Sequence, residues 1–570
     1  MIRMLKFCAV FLASTQAHAT EIIETMMPLS DGPSLMTLVV LPEGEGPFSA
    51  IVVRTPYSLP TPAPGPVELD DDKATREDII ATWAPALSRG FAVVQQNTRG
   101  RGESTGLDMM FQTDRADGVE FASWLVAQPW SDGTFRLTGD SADGFAGYLM
   151  AAEKPKGLTG AFFQVSCANL QKLGVVRRTG GLQMEALVPW VMMQAGESGP
   201  ENKAALIQRS VDLAEAGEKA DQVLANLFSG DPEALIERPL SSLDPVYRLQ
   251  PEWRGFISEE GYEARAKYFD ATSDIAVPIT HVGLWQDTFL DCTVDAFLRA
   301  KGEQTLIVMN GTHYEIDRPS TWNVAAFHEA FVDWLDDKAV PPVQVTVENA
   351  PTPLLIESAE WPPRAATPET FWLAKDGLSP DADESSEVGT FITDPTKPLP
   401  SEGGRNLVIE AGSKMDRLPN RNAYQIVTLG EPVQTDTIIL GEVNLDVTFK
   451  ADQQDADVVA RLIAVDPEGE PRQILENLFR ARYRDGREAP SPIVPGMAVS
   501  GSFALGHTAH FLKAGERIGL ILQGSNAPRW DMATGHDADP TVATTALPIS
   551  VTIEQARLTI NMIKAPSEPQ

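Results

Sequence analysis

At 570 residues the chain is too long for one hydrophobic core, since such cores stop growing near about 250–300 residues, so two or three domains are expected. Its 43% hydrophobic and 22% charged residues, with no internal repeat or low-complexity run, exclude a disordered or fibrous chain. A formal net charge of -33 excludes nucleic acid and anionic membrane surfaces as expected partners, because phosphate binding needs a basic face.

In chain order, Arg3 and Lys6 form a basic start, Phe7 to Ala13 an apolar run, and Ala17-His18-Ala19 a small-x-small cleavage site. Together they predict a secretory signal peptide over residues 1–19 and export to the periplasm or the medium. The apolar run falls well short of the ~20 residues that a spanning helix needs, and no other stretch comes near that length, so no integral membrane segment is expected after its removal. Cys167 and Cys292 then remain, compatible with an oxidising compartment, and their spacing leaves open whether they pair.

From residue 20 to about 340, short β-branched runs alternate with helical patterns, which predicts an α/β domain with a mostly parallel sheet. The expected strands are Ala50 to Arg54, Phe91 to Gln96, Thr134 to Thr138, Gly160 to Val165, Ile279 to Trp285 and Thr305 to Met309. Helical periodicity runs through Asp78 to Leu87, Gly118 to Ala127 and Val324 to Leu335. Residues 180–267 carry no convincing strand and are helical in period, for example Ala204 to Phe228, so they read as a helical cap inserted over the carboxyl ends of the strands. After Pro341-Pro342 the texture changes to short alternating strands, Val343 to Thr346, Thr437 to Leu440, Asn444 to Phe449 and Arg517 to Leu522. This predicts an all-β sandwich over residues 341–564, followed by a polar tail, 565–570.

The chemistry centres on Gly139-Asp-Ser141-Ala-Asp-Gly144, where a predicted strand runs into a small-residue turn and then an apolar helix. A serine on such an elbow stands above the sheet, and the helix N-terminus beside it offers backbone N–H groups, Ala142 first, to a developing oxyanion. A serine there can also simply cap a helix. A hydroxyl needs a base to take its proton and an acid to orient that base. Of His281, His313, His328, His507, His510 and His536, only His313 follows a predicted strand in a Gly-Thr-His loop at the expected carboxyl edge. Asp287 follows the strand ending at Trp285 and precedes His313 by one βα unit, so the order Ser141, Asp287, His313 is that of an α/β hydrolase.

These residues resemble the CocE/NonD group of serine hydrolases, which spans cocaine esterase, X-Pro dipeptidyl-peptidase and α-amino-acid ester hydrolase. The resemblance rests on Arg54-Thr-Pro-Tyr57, Asn97-Thr-Arg-Gly-Arg-Gly-Glu-Ser-Thr-Gly106, Asp117-Gly118, Trp124, Gln128-Pro-Trp130 and the elbow. It continues through His281 to Phe289, Gly311-Thr-His313, Leu478 to Arg484, Gly515 to Ile518 and Ser525 to Asp531. It implies a hydrolase domain with a helical cap, a C-terminal jelly-roll sandwich, and Tyr57 as a second oxyanion donor beside the Ala142 amide. It implies acyl transfer to water with no metal or organic cofactor, on a small ester, amide or short peptide.

One departure stands in the elbow, where Ala142 and Asp143 replace the Tyr and first Gly usual in the group. An aspartate there adds a Cβ and a possible charge near the oxyanion hole, so the alternative is a catalytically impaired binding protein that keeps the hydrolase fold. Ester against peptide, the acyl group and the oligomeric state are not legible in the chain.

Overall fold

The computed structural model describes residues 21–59, 76–172, 180–196, 252–317, 322–375, 377–380, 387–420, 422–540 and 545–566, with residues 174, 176, 225 and 543. The expected signal peptide, most of the stretch from Ala204 to Phe228 and the end of the tail lie outside the described residues.

Ten strands form the first sheet: β1 (Glu21–Pro28), β2 (Ser34–Leu41), β3 (Phe48–Thr55), β4 (Ala92–Asn97), β5 (Ser131–Asp140), β6 (Leu158–Gln164), β7 (Ile279–Gln286), β8 (Gln304–Thr312), β9 (Val343–Thr346) and β10 (Leu355–Ser358). Their order is β1-β2-β4-β3-β5-β6-β7-β8-β9-β10, and the run from β4 to β9 is parallel. Ile51, Val52 and Val53 in β3 are all buried, the continuous apolar pattern that a strand covered on both faces requires. The helices Asp114–Val126 and Ser141–Ala152 pack Phe121, Leu125 and Leu149 on one face, and the helix Trp322–Leu335 packs Phe327 and Trp334 on the other. The α/β domain with a mostly parallel sheet expected from the alternation is the one observed.

Val343 to Thr346, expected in the sandwich, instead pairs with β8 through Leu306 and Val343, so the first sheet runs on to Ser358. Alternating burial identifies a strand but not the edge it joins.

The second sheet system contains β11 (Thr367–Ala374), β12 (Gly377–Ser379), β13 (Gly389–Thr393), β14 (Gln425–Pro432), β15 (Thr437–Ala451), β16 (Asp457–Val465), β17 (Pro471–Arg480), β18 (Ala498–Leu512), β19 (Arg517–Gln523) and β20 (Ile549–Lys564). The path β17-β16-β19-β14-β12-β11-β20-β15-β18 folds over into two layers, with Leu445, Val447 and Phe449 from one layer meeting Ala460, Leu462 and Leu520 from the other. Thr437 to Leu440 and Asn444 to Phe449 are one strand, not two, because the sheet absorbs Gly441 and a register shift at Val443/Asn444 without a turn. This is the expected all-β sandwich.

The cap is described at the helices Met184–Gly196, Glu252–Ile257 and Tyr262–Tyr268. Its entry is tied to the sandwich by Leu182 N–H donating to Asp531 Oδ1 (2.7 Å) and Asp531 N–H donating to the Leu182 carbonyl (2.9 Å). Its exit is tied there too, where Glu259 accepts from Tyr483 Oη at 2.6 Å and Arg482 Nε at 2.9 Å. No helix among the described residues is long and apolar enough to cross a membrane.

His281 sits wholly buried in β7, with Nδ1 2.7 Å from Tyr148 Oη and Nε2 2.6 Å from Gln304 Oε1. The Gln304 carbonyl can only accept, which assigns the proton to Nε2 and makes Nδ1 the acceptor from the phenol. Burial pushes the imidazole down to about 4. The stability from burying it neutral is full above the unfolded value near 6.5 and is lost as pH falls through about 4. His281→Gln should therefore melt lower than wild type at neutral pH, and the gap should narrow by roughly 3 kcal/mol at most as the pH drops through that window. Denaturant titrations of both proteins across it check this, and a constant gap contradicts it.

Candidate active site

β5 ends at Asp140 and the helix begins at Ser141, with no loop between them. Ser141 adopts φ 48°, a left-handed conformation that costs a non-glycine residue about 1–3 kcal/mol. The turn is tight: a Cβ on Gly139 would lie 2.7 Å from the Asp143 carbonyl carbon, and one on Gly144 2.6 Å from Ser166 Oγ. Ser166 Oγ donates to the Ser141 carbonyl at 2.6 Å, fastening the turn to the end of β6. The Ala142 amide lies in the first helical turn, whose N–H groups have no intrahelical acceptor.

Asp287 comes directly after β7 and is fully buried, while His313 comes directly after β8 and is 6% exposed. His313 Nδ1 lies 2.6 Å from Asp287 Oδ1. A carboxylate accepts, which assigns the proton to Nδ1 and leaves Nε2 as the basic nitrogen. The imidazole packs edge-on against Phe289 at 5.6 Å. The fold thus brings Ser141, Asp287 and His313 to the carboxyl ends of β5, β7 and β8, on one edge of the sheet. Of the other histidines, His281 is in the core, His328 is exposed on the outer helix and His507, His510 and His536 belong to the sandwich.

Tyr57 follows β3 on the same edge. Its carbonyl accepts from Asn97 Nδ2 at 2.6 Å, and a Cβ on Gly102 would lie 2.3 Å from Asn97 Oδ1. The segment Asn97 to Gly106 therefore supplies a clamp on Tyr57. The phenol oxygen accepts from Trp190 Nε1 at 3.2 Å, so its own hydrogen can point elsewhere. Burial pushes this phenol up, with Asp143 adding to the effect, so it stays a neutral donor. Trp190 belongs to the cap helix and carries no motif by which sequence reading could find it.

Asp143 is partly exposed as a residue, but its Oδ1 is buried and accepts no hydrogen bond among the described residues. Burial holds the carboxyl well above the ordinary carboxylate range, Asp140 pushes the same way, and a hydrogen bond with Thr55 acts against both. Its surroundings therefore disfavour the charge whose presence beside the oxyanion hole was the concern, and the impaired-enzyme alternative finds no support.

Ser141 and Ala142 open onto a pocket lined by Phe111, Phe145, Leu187, Trp190, Phe256, Phe289 and Leu407. The hydrolase core, the cap and a sandwich loop all contribute. A wider cleft behind the sheet, lined by Glu303, Glu329 and Asp333 beside the helix Trp322–Leu335, contains none of the three converging residues. Cys167 lines the apolar pocket and is disulfide-bonded to Cys292, a pairing that spacing left open. The bridge joins the loop after β6 to the helix Leu290–Arg299, whose Thr293 Oγ1 also donates to the Ser166 carbonyl at 2.8 Å.

Comparison with known proteins agrees with this geometry. The chain matches the X-Pro dipeptidyl-peptidase (S15) family over residues 31–315 and the X-Pro dipeptidyl-peptidase C-terminal non-catalytic domain over residues 337–564. It is 23% identical over 552 residues to a cocaine esterase of Rhodococcus sp. (strain MB1 Bresler), covering 89% of this chain and 91% of that one. In fold it is similar to an aminopeptidase from a marine-sediment Thaumarchaeota archaeon, with a TM-score of 0.75, 18% identity and coverage of 98% and 99%. An α-amino acid ester hydrolase superposes with a TM-score of 0.74 at 16% identity, covering 97% and 98%.

Because the disulfide links the elbow's support to the acid-bearing segment, Cys292→Ser should cost about 2–4 kcal/mol of stability and slow turnover. Thermal melts with and without reductant check this, and an unchanged melting temperature contradicts it.

Proposed function

The chain belongs to the X-Pro dipeptidyl-peptidase (S15) family of serine hydrolases, and we propose that it hydrolyses esters or amides of apolar acyl groups through an acyl-enzyme on Ser141. His313 Nε2 takes the Ser141 proton as Oγ attacks the carbonyl carbon, and Asp287 holds the imidazole by Nδ1 and stabilises its charged form. The Ala142 amide and the Tyr57 phenol donate to the oxyanion, each such donor being worth roughly 3 kcal/mol at the transition state. As the carbon–heteroatom bond breaks, His313 returns the proton to the departing alcohol or amine. It then takes a proton from water, whose oxygen attacks the acyl-enzyme and releases the acid.

The observation that carries the substrate class is the apolar pocket itself. Among the described residues lining it, none is charged, so an acyl group gains by burying apolar surface there while a free ammonium would find no partner. The nearby carboxyl of Glu185 is already occupied by Leu407 N–H and Val408 N–H, each at 2.9 Å, and by Gln183 Nε2 at 2.7 Å, and burial pushes it up.

Fluorophosphonate should label Ser141 in wild type and not in Ser141→Ala, and Tyr57→Phe should lower kcat by about 10²–10³. On a panel of p-nitrophenyl esters, aminoacyl esters and X-Pro anilides, apolar acyl esters should show the highest kcat/KM. Preference for X-Pro substrates would overturn the acyl assignment, and unlabelled wild type would overturn the nucleophile.

Export is proposed on the same footing, from the basic, apolar and Ala17-His18-Ala19 features and from a disulfide that a reducing cytosol would not sustain. Fractionation of the producing cell with N-terminal sequencing should find a chain beginning after Ala19 outside the cytosol. A full-length cytosolic chain with free thiols would refute this.

A further inference from the structure

We propose that Arg405, in a sandwich loop that reaches back to the hydrolase sheet, is a positioning residue for Asp287. This rests on the assignment of Asp287 as the residue that orients His313.

Asp287 sits in a short turn between the end of β7 and the helix Leu290–Arg299. Arg405 grips both sides of that turn with one planar group. Its Nε donates to the carbonyl of Trp285, two residues before Asp287, at 2.8 Å. Its Nη1 pairs with Asp291 Oδ2, four residues after Asp287, at 2.6 Å. Nη2 donates to the His507 carbonyl, and the His507 N–H donates to Asp291 Oδ1 at 2.7 Å. Arg405 is 6% exposed and Asp291 5% exposed, so the pair lies out of water, where a lost partner leaves an uncompensated charge. Gly506 makes room for it, since a Cβ there would lie 2.9 Å from Arg405 Nη1 and 2.9 Å from Asp291 Oδ1. A third tie comes from the cap, where Gln183 Nε2 donates to Thr288 Oγ1 at 2.8 Å.

The consequence is a fixed backbone under a carboxylate whose contact with His313 is short and buried. A guanidinium matches this job because its rigid fork can donate to a carbonyl and a carboxylate at once, whereas an ammonium is a single point. Arg405 then shares in catalysis without touching substrate: it sets where the acid stands.

The test compares wild type, Ser141→Ala, Arg405→Lys and the double variant Arg405→Met/Asp291→Leu, which replaces the buried pair by apolar groups and so leaves no orphaned charge. The readouts are the rate of Ser141 labelling by a fluorophosphonate, and kcat and KM on p-nitrophenyl butyrate from acidic to alkaline pH. The double variant should fold, label and turn over roughly tenfold or more slowly, and keep KM within about twofold. The acid limb of its kcat/KM profile should move to lower pH, because a displaced Asp287 stabilises the His313 imidazolium less. Arg405→Lys keeps a charge opposite Asp291 but cannot hold the Trp285 and His507 carbonyls as well, so it should fall between the two. If the double variant does not fold, Arg405→Lys decides alone. A folded Arg405 variant with the wild-type labelling rate and pH profile overturns the clamp while the nucleophile assignment stands. Wild type that does not label at Ser141 overturns that assignment and the clamp with it.

Discussion

The molecule is organised around a turn that has no room in it. β5 gives way to the helix Ser141–Ala152 without an intervening residue, and Ser141 makes the turn at φ 48°. Such a turn holds only if the helix rides close over the sheet. Gly139, Gly144 and Gly147 provide that closeness, the last because a Cβ there would stand 2.5 Å from the Phe163 ring in β6. With the helix so placed, its first N–H groups face the space above the strand ends, and a nucleophile and an oxyanion donor share one origin. The strain stored in the serine is held by the packing around it rather than by any local preference.

The remaining parts come to that point because β3, β5, β7 and β8 run in the same direction, close together in the sheet. Parallel strands deliver their carboxyl ends to one edge, and each of Tyr57, Ser141, Asp287 and His313 lies at or just past such an end. Aromatic side chains from the core and the cap then dry the space above them. Low polarity strengthens the buried Asp287 to His313 hydrogen bond, and it also suppresses unwanted charge. Burial pushes both Asp143 and Glu185 up, so the surroundings of the elbow disfavour further negative charge there.

The sandwich is more than an appendage to this arrangement. It holds the cap by Asp531 at its entry and by Arg482 and Tyr483 at Glu259, and it places Leu407 in the pocket wall. Leu407 and Val408 in turn donate their amides to Glu185 in the cap helix. The described parts of the cap and the sandwich are thereby tied to each other beside a site anchored in the first sheet.

Much of this was legible in the chain because it depends on local, periodic or contiguous features. Strand and helix periods marked the parallel sheet, the small residues from Gly139 to Gly144 marked the elbow, and the positions of Asp287 and His313 just after predicted strands marked the edge on which they meet. What the chain could not show were relations across space. Val343 to Thr346 reads as a strand whichever sheet it joins, and only the open edge of β8 assigned it to the first. Gly441 reads as a turn, and only its neighbours in the sheet turned it into an irregularity within β15. Nothing in their spacing paired Cys167 with Cys292, and nothing local linked Trp190 to Tyr57 or Arg405 to Trp285. Composition, period and motif determined which groups the protein has and the order in which its strands present them. Their protonation, their partners and the shape of the pocket were decided by tertiary structure, because burial and contact are properties of the folded neighbourhood that no residue carries alone.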